Sequence, residues 1–273
     1  MASPTTTLVP APKKRLKFSL LLVSYNEAGH VPRFLAAFQK LMRKPDEVVL
    51  VDSSTDRTAE LCKPIVSKLI KIPKSSCGHA RSVGVPQCSG DVVVFTDLDA
   101  EPHPDWLEKI AAKFEGDPDV HAIVGTVLFD EISPMVPAPQ SRFRVNGCNM
   151  AYCKHVLDRH PFDPWVIWDD LDLGYRVGKE FIIYGCPEAR TLHHATFENK
   201  VNMARKTGLG WLRLFRKYHW HPFWVGRFFY NFLVMLFVRL DPYMAFLSIW
   251  SLFYAAHHEF FAKKEKGAYH DSL

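Results

Sequence analysis

Short apolar runs alternate, over the first part of the chain, with segments whose apolar positions recur at helical spacing. Phe18–Ser24 reads as a buried strand, and Val31, Phe34, Leu35, Phe38 and Leu41 then mark one face of a helix. Residues 48–51 form a second strand, and Thr58–Cys62 opens a shorter helix stopped near Pro64. A short strand is expected at 70–72. Residues 91–96 are the clearest strand, and Trp106, Leu107, Ile110 and Phe114 line the helix after it. The periodicity then blurs: 119–129 supplies a strand, 134–139 a surface loop, and 147–155 a loop entering a helix. Residues 181–184 and 190–193 flank a turn at 185–187. This alternation predicts an α/β domain on a mostly parallel sheet with helices on both faces.

The pattern changes near residue 200. Lys200, Arg205, Lys206, Arg213, Arg216 and Lys217 make a basic segment, and an aromatic and aliphatic tract follows over 223–261. Its uninterrupted apolar pieces, 228–238 and 243–256, fall short of the roughly 20 residues that span a bilayer. Arg239, Asp241 and Pro242 separate them. Two helices lying in or dipping into a membrane interface are expected, with Trp220, Trp224 and Trp250 as anchors. The alternative is two helices packed on the domain or on a partner subunit. The division expected is a flexible arm at 1–15, a domain at 16–200, a helical extension at 201–261 and a polar tail at 262–273.

Composition narrows the class. At 273 residues, 48% hydrophobic and 23% charged, the chain is globular and holds one large domain with an appendage. A net charge of +5 is mild, and no compact basic run with interleaved aromatics argues for nucleic acid. Six cysteines are scattered with no C-x-x-C pair, so reduced thiols in a cytosolic compartment are expected. The run at 18–23 is too short for a signal peptide's core.

Chemistry gathers where the predicted strands end. Ligands of such sheets bind at the carboxyl ends of the strands. Polar clusters fall there at 24–27 (Ser-Tyr-Asn-Glu), 52–56 (Asp-Ser-Ser-Thr-Asp) and 96–99 (Thr-Asp-Leu-Asp). Asp97 and Asp99 are separated by one residue, so they can point the same way from one strand end. Like charges so close are stabilised by an oxygen-liganded divalent metal bridging phosphates; a solvated acidic loop is the other reading. Asp52 ends a buried run, which favours a ligand role, while Asp56 suits a helix cap. Residues 168–176 (Trp-Asp-Asp-Leu-Asp-Leu-Gly-Tyr-Arg) set three carboxylates in an apolar context.

Taken in order, residues 22–27, 49–58, 78–82, 96–100 and 168–176 resemble the inverting glycosyltransferases of the GT-A fold, the second family of that classification. The likeness covers roughly residues 18–217, with Ser82 where the family usually has Asn and Asp169 where it usually has Glu. The resemblance implies a Rossmann-like fold with a nucleotide-sugar half at 16–100 and an acceptor half at 101–200. It implies a metal, Mn or Mg, on Asp99, and Asp97 reaching the ribose or the metal's water shell. Asp52 would accept a hydrogen bond from the base, with Ser24, Tyr25 and Glu27 lining the same pocket and Arg81 near the base or diphosphate. Asp170 is the implied catalytic base, Asp169 its competitor, and Asp172 a helix-start residue. His193 is the implied second metal ligand, with His194 facing oppositely.

The Q-x-x-R-W signature of the processive synthases is absent, so addition of a single sugar to a hydroxyl or phosphate is expected. The donor would be a nucleotide-diphosphate sugar and the acceptor lipid-linked or a glycan. The basic 200–217 segment would face lipid headgroups or the acceptor's phosphate, at the inner face of the cell membrane. Asp97-Leu98-Asp99 also resembles the motif of haloacid-dehalogenase-type phosphohydrolases, but that family places it near the N-terminus and expects Thr or Val at Glu101. Nucleotidyltransferases need a Gly-rich phosphate loop, and dinucleotide oxidoreductases a G-x-G-x-x-G, after the first strand; neither is present. A catalytically silent nucleotide-sugar-binding protein would not be expected to keep the metal, base and nucleotide residues together.

Overall fold

The computed structural model describes residues 15–129, 134–141, 145–194, 200–233, 246 and 249–253, the side chains of 200–206 excepted. The first elements are β1 (Phe18–Ser24), α1 (Val31–Lys40), β2 (Glu47–Asp52), α2 (Thr58–Cys62), β3 (Lys68–Lys71) and α3 (Cys77–Gly84). Next come β4 (Val92–Phe95), β5 (Ala100–Pro102), α4 (Trp106–Gly116), β6 (Ala122–Phe129), β7 (Gln140–Ser141), β8 (Met150–Cys153) and α5 (Lys154–Arg159). Then follow α6 (Asp169–Val177), β9 (Ile183–His193), α7 (Lys200–Lys217) and α8 (Pro222–Leu233).

The strands form one sheet in the order β3-β2-β1-β4-β8-β6-β9-β5, with β7 also on β9. β1 to β4 pair in parallel. β8 runs antiparallel between β4 and β6, which returns β6 and its parallel neighbour β9 to the first direction. Only β5, β7 and β8 oppose the rest, so the sheet is mostly parallel and the α/β expectation holds.

Side-chain alternation divides the core in two. Phe18, Leu20, Leu22, Val48, Leu50, Val92 and Val94 face the layer built by Val31 and Phe34 of α1 and Trp106, Leu107 and Ile110 of α4. Their neighbours Leu21, Val49, Val51, Val93 and Phe95 face Ala80 of α3, Val156 of α5 and Leu173 of α6. Strands buried on both faces read as continuous apolar runs, which is why β1, β2 and β4 are visible in the sequence.

Two elements differ from expectation. The stretch read as a loop entering a helix contains β8, whose Met150, Ala151 and Tyr152 are fully buried between β4 and β6. The two pieces read around a turn are one strand, β9, with a bulge opposite Gly125 and Thr126. Asn149 plugs that irregularity: its Nδ2 donates to Thr126 O (2.8 Å) and Ala189 O (2.9 Å), and its Oδ1 accepts from Trp106 Nε1 (2.9 Å).

α7 and α8 pack on the domain through Val166, Tyr175, Trp211, Leu214, Phe215, Trp224 and Phe228. Trp224, expected as an interfacial anchor, is 2% exposed and stacks on Tyr218 (5.2 Å, 22°), so it anchors the helix to protein. Trp220 is exposed and stacks on Phe215. Among the described residues no helix is long and apolar enough to cross a membrane. Most of the 223–261 tract beyond Leu233, the arm over 1–14 and the tail lie outside the described residues.

Candidate active site

The candidate site begins where β1 and β2 end in register. Ser24 pairs with Asp52, and its hydroxyl donates to Asp52 Oδ1 at 2.6 Å. Ser54 N donates to the same oxygen (3.2 Å) and the Lys71 ammonium pairs with the other. Burial alone would raise the Asp52 pKa, but Lys71, Ser24 and Ser54 outweigh it and hold it below the usual value. The Asp52 side chain is fully buried, while Lys71 is half exposed.

The next turn is built around Asn26, whose φ of 58° a short polar side chain tolerates. Asn26 N donates to Ser54 Oγ (2.8 Å), and its Oδ1 accepts from Thr55 N (2.9 Å), tying the loops after β1 and β2 together. Asp56, expected as a helix cap, lies one residue before Arg57, the N-cap of α2, and accepts from Thr58 N (3.0 Å) and Ala28 N (3.2 Å). Tyr25 sits exposed on the rim with the Lys74 ammonium 4.8 Å from its ring centre. Glu27 turns inward: burial, then Asp99, Asp97 and Asp56, push its carboxyl up to about 7.

Strand register explains how Asp99 meets His193, far along the chain. β5 pairs antiparallel with β9 so that Ala100 faces His193, and His194 N donates to Asp99 O at 2.9 Å. His193 Nε2 comes to 3.4 Å from Asp99 Oδ1. His194 turns away to Glu101 Oε1 at 2.7 Å. Asp99 Oδ1 and His193 Nδ1 are buried without a hydrogen-bond partner. An orphaned carboxylate oxygen is costly unless a cation meets it, so this donor set fits a divalent ion held by Asp99 and His193. Asp97, Cys148 and His193 bring a ligand atom each within 4.8 Å of one another. Cys148 is an addition to the expected set; burial, then Asp97 and Asp99, raise its thiol pKa well above the ordinary value.

The acidic motif is sorted by its helix. Its three carboxylates fall in the first turn of α6, where the helix dipole favours them. Asp169 is buried and takes Arg81 Nη1 at 2.8 Å. Arg81 Nη2 reaches Asp97 Oδ1 (3.4 Å) and donates to Gly147 O (3.3 Å). Arg81, expected near base or diphosphate, is 5% exposed and bridges the two acidic motifs through Asp97 and Asp169. Asp172 is fully buried, bound by Arg176 Nε (2.9 Å), Lys217 Nζ (2.7 Å) and Tyr218 Oη (2.6 Å). Lys217 also pairs with Asp163 (2.7 Å), so its charge faces the domain and not a headgroup.

Asp170 differs from both neighbours. It is half-buried, accepts from Gly147 N (3.0 Å) and Leu171 N (2.8 Å), and no cation among the described residues pairs with it. Burial, then Asp169, raise its pKa to about 6 against the pull of Arg81. A Cβ at Gly147 would lie 2.8 Å from Arg81 Nη2, so a side chain there would displace the guanidinium. The 146–148 loop therefore links Asp170, through Gly147, to Asp97 and His193, through Cys148. Neither Gly147 nor Cys148 carries a sequence signal, because only the unpredicted β8 sets their place.

Comparison with known proteins bears on the family and the fold. The profile of Glycosyl transferase family 2 matches residues 19–160, more than half of the chain. An uncharacterized glycosyltransferase, YwdF of Bacillus subtilis, is 26% identical over 156 residues, 55% of this chain and 56% of that protein. An undecaprenyl-phosphate 4-deoxy-4-formamido-L-arabinose transferase of Pseudomonas fluorescens is 32% identical over 120 residues, 40% of this chain and 34% of its own. The matches span about half or less of the length of these curated relatives. A mannosyltransferase of Pyrobaculum calidifontis, solved with GDP-Man and Mn2+, superposes with a TM-score of 0.61 over 93% of this chain and 79% of that one, at 19% identity. At that identity the likeness speaks for the fold alone, which is GT-A. Profile, fold and motif order together place this chain in glycosyltransferase family 2.

Proposed function

We propose that the chain transfers one sugar from a nucleoside-diphosphate sugar to a lipid-linked acceptor, inverting the anomeric carbon. The observation that carries this reading is the sorting of the acidic motif: Asp169 and Asp172 are neutralised by Arg81, Arg176 and Lys217, while Asp170 has no cation partner among the described residues. Asp52, Ser24, Tyr25 and Glu27 would hold the nucleoside at the β1–β2 edge, and Asp97 would orient the sugar-nucleotide side. A divalent cation, Mn or Mg, held by Asp99 and His193 would neutralise the charge the departing diphosphate gains.

Asp170 acts on the face away from the leaving group. The acceptor oxygen forms its bond to the anomeric carbon as the bond to the diphosphate breaks, and Asp170 takes the proton of an acceptor hydroxyl or of the monoanionic form of an acceptor phosphate. A base with pKa about 6 is ionised at neutral pH yet able to hold that proton. The lipid acceptor is supported by the undecaprenyl-phosphate relative and by the exposed Phe229, Tyr230 and Leu233 of α8 and Phe246 and Phe253 beyond it. Those side chains suit an interface more than water.

Radiolabelled transfer to a polyprenyl phosphate from a panel of nucleotide sugars, with Mn2+, tests the proposal. Asp170→Asn is expected to keep nucleotide binding and lose transfer by about 10²–10⁴-fold. Near-full activity in Asp170→Asn with an inactive, folded Asp169→Asn would assign the base to the other carboxylate.

A further inference from the structure

Three metal-ligating side chains also meet at the end of the sheet opposite the acidic cleft. Cys153, the last residue of β8, pairs with Val92, the first of β4. It therefore lies five residues from Asp97 along the strand direction, roughly 16 Å at the usual rise. His121 immediately precedes β6, and its carbonyl accepts from Cys153 N at 2.9 Å. His155 follows in the first turn of α5. The ligand atoms of His121, Cys153 and His155 all lie within 4.8 Å of one another.

The surroundings suit a ligand role. The His121 and His155 rings stand at 85° with centroids 5.0 Å apart, and Phe181 closes on both. Edge-to-face packing accounts for the rings, but not for His121 Nδ1, which is buried without a hydrogen-bond partner. The Cys153 thiol has only a long 3.7 Å contact to Val120 O.

We propose that His121, Cys153 and His155 form a second metal site, for a zinc-like divalent ion, apart from the acidic cleft. The donors are nitrogen and sulfur with no carboxylate, which selects zinc over magnesium or manganese. Tetrahedral Zn–N and Zn–S distances of about 2.0 and 2.3 Å need donors roughly 3.3–3.6 Å apart, so side chains whose ligand atoms lie within 4.8 Å of one another close by at most about 1.5 Å. Exposed His155 can supply that movement and the entry path, and a water takes the fourth position. The thiol proton leaves to bulk solvent as the sulfur–metal bond forms. Bound there, the ion clips β6, β8 and α5 together.

Cobalt(II) titration of the full chain, with excess Mg2+ to occupy the acidic cleft, is the test. One equivalent should give a near-ultraviolet thiolate-to-cobalt band that Cys153→Ser abolishes and Cys148→Ser retains. His155→Ala, at an exposed position and with unchanged far-ultraviolet circular dichroism, should weaken binding at least about tenfold. No band, a band surviving Cys153→Ser, or a band lost in Cys148→Ser would overturn the site.

Discussion

Replacing Arg81 by Met strands Asp169, a buried carboxylate, without its cation. Breaking such a pair from one side costs about 3–5 kcal/mol, so urea unfolding should show a loss of that size. A loss under about 1 kcal/mol would mean that Arg81 does not hold the two acidic motifs together. Asp170 makes a pH prediction. Its pKa, raised to about 6, makes transfer climb with pH through that value, and Asp170→Asn removes that limb. The stability sign is opposite: the native state keeps the proton longer than the unfolded chain, so this contribution is full below the unfolded pKa and fades as pH rises through about 6. Asp97, Asp99, Asp170 and His193 were legible because strand ends and ordered motifs mark them. Arg81's commitment to two carboxylates was not, since an arginine's partners depend on tertiary contacts that its local sequence does not specify.

Among the elements, α8 is held by Trp224, and Trp224→Ala should cost about 3–5 kcal/mol in unfolding experiments. Were Trp224 a membrane anchor, that change would instead spare stability in solution and weaken vesicle binding. The strands buried on both faces were readable as apolar runs, whereas β8 was hidden. Its four residues, Met-Ala-Tyr-Cys, have no period long enough to separate strand from helix, and their pairing partners β4 and β6 are distant in sequence. β9 was split for a related reason. The Gly185 and Pro187 that read as a turn mark a bulge, whose Ala189 carbonyl is satisfied by Asn149 from the loop before β8 and whose Pro187 carbonyl is satisfied by Thr126.

At the scale of the molecule, the sheet gathers its chemistry at the carboxyl ends of β1, β2 and β4, as parallel α/β architecture dictates, and that much followed from the alternation of elements. What the C-terminal helices do was less legible, because an aromatic face packs equally well on protein or at a bilayer; α8 does the first with Trp224 and Phe228 and leaves Phe229, Tyr230 and Leu233 outward. Flotation with anionic liposomes should therefore carry the full chain and not a chain cut after residue 221. Equal flotation of both would remove the interfacial role. The most direct test of the central claim is calorimetric titration of nucleoside diphosphates with and without Mn2+. Binding should require the metal and fall at least about tenfold, about 1.4 kcal/mol, in Asp99→Asn. Metal-independent binding that Asp99→Asn leaves unchanged would contradict it.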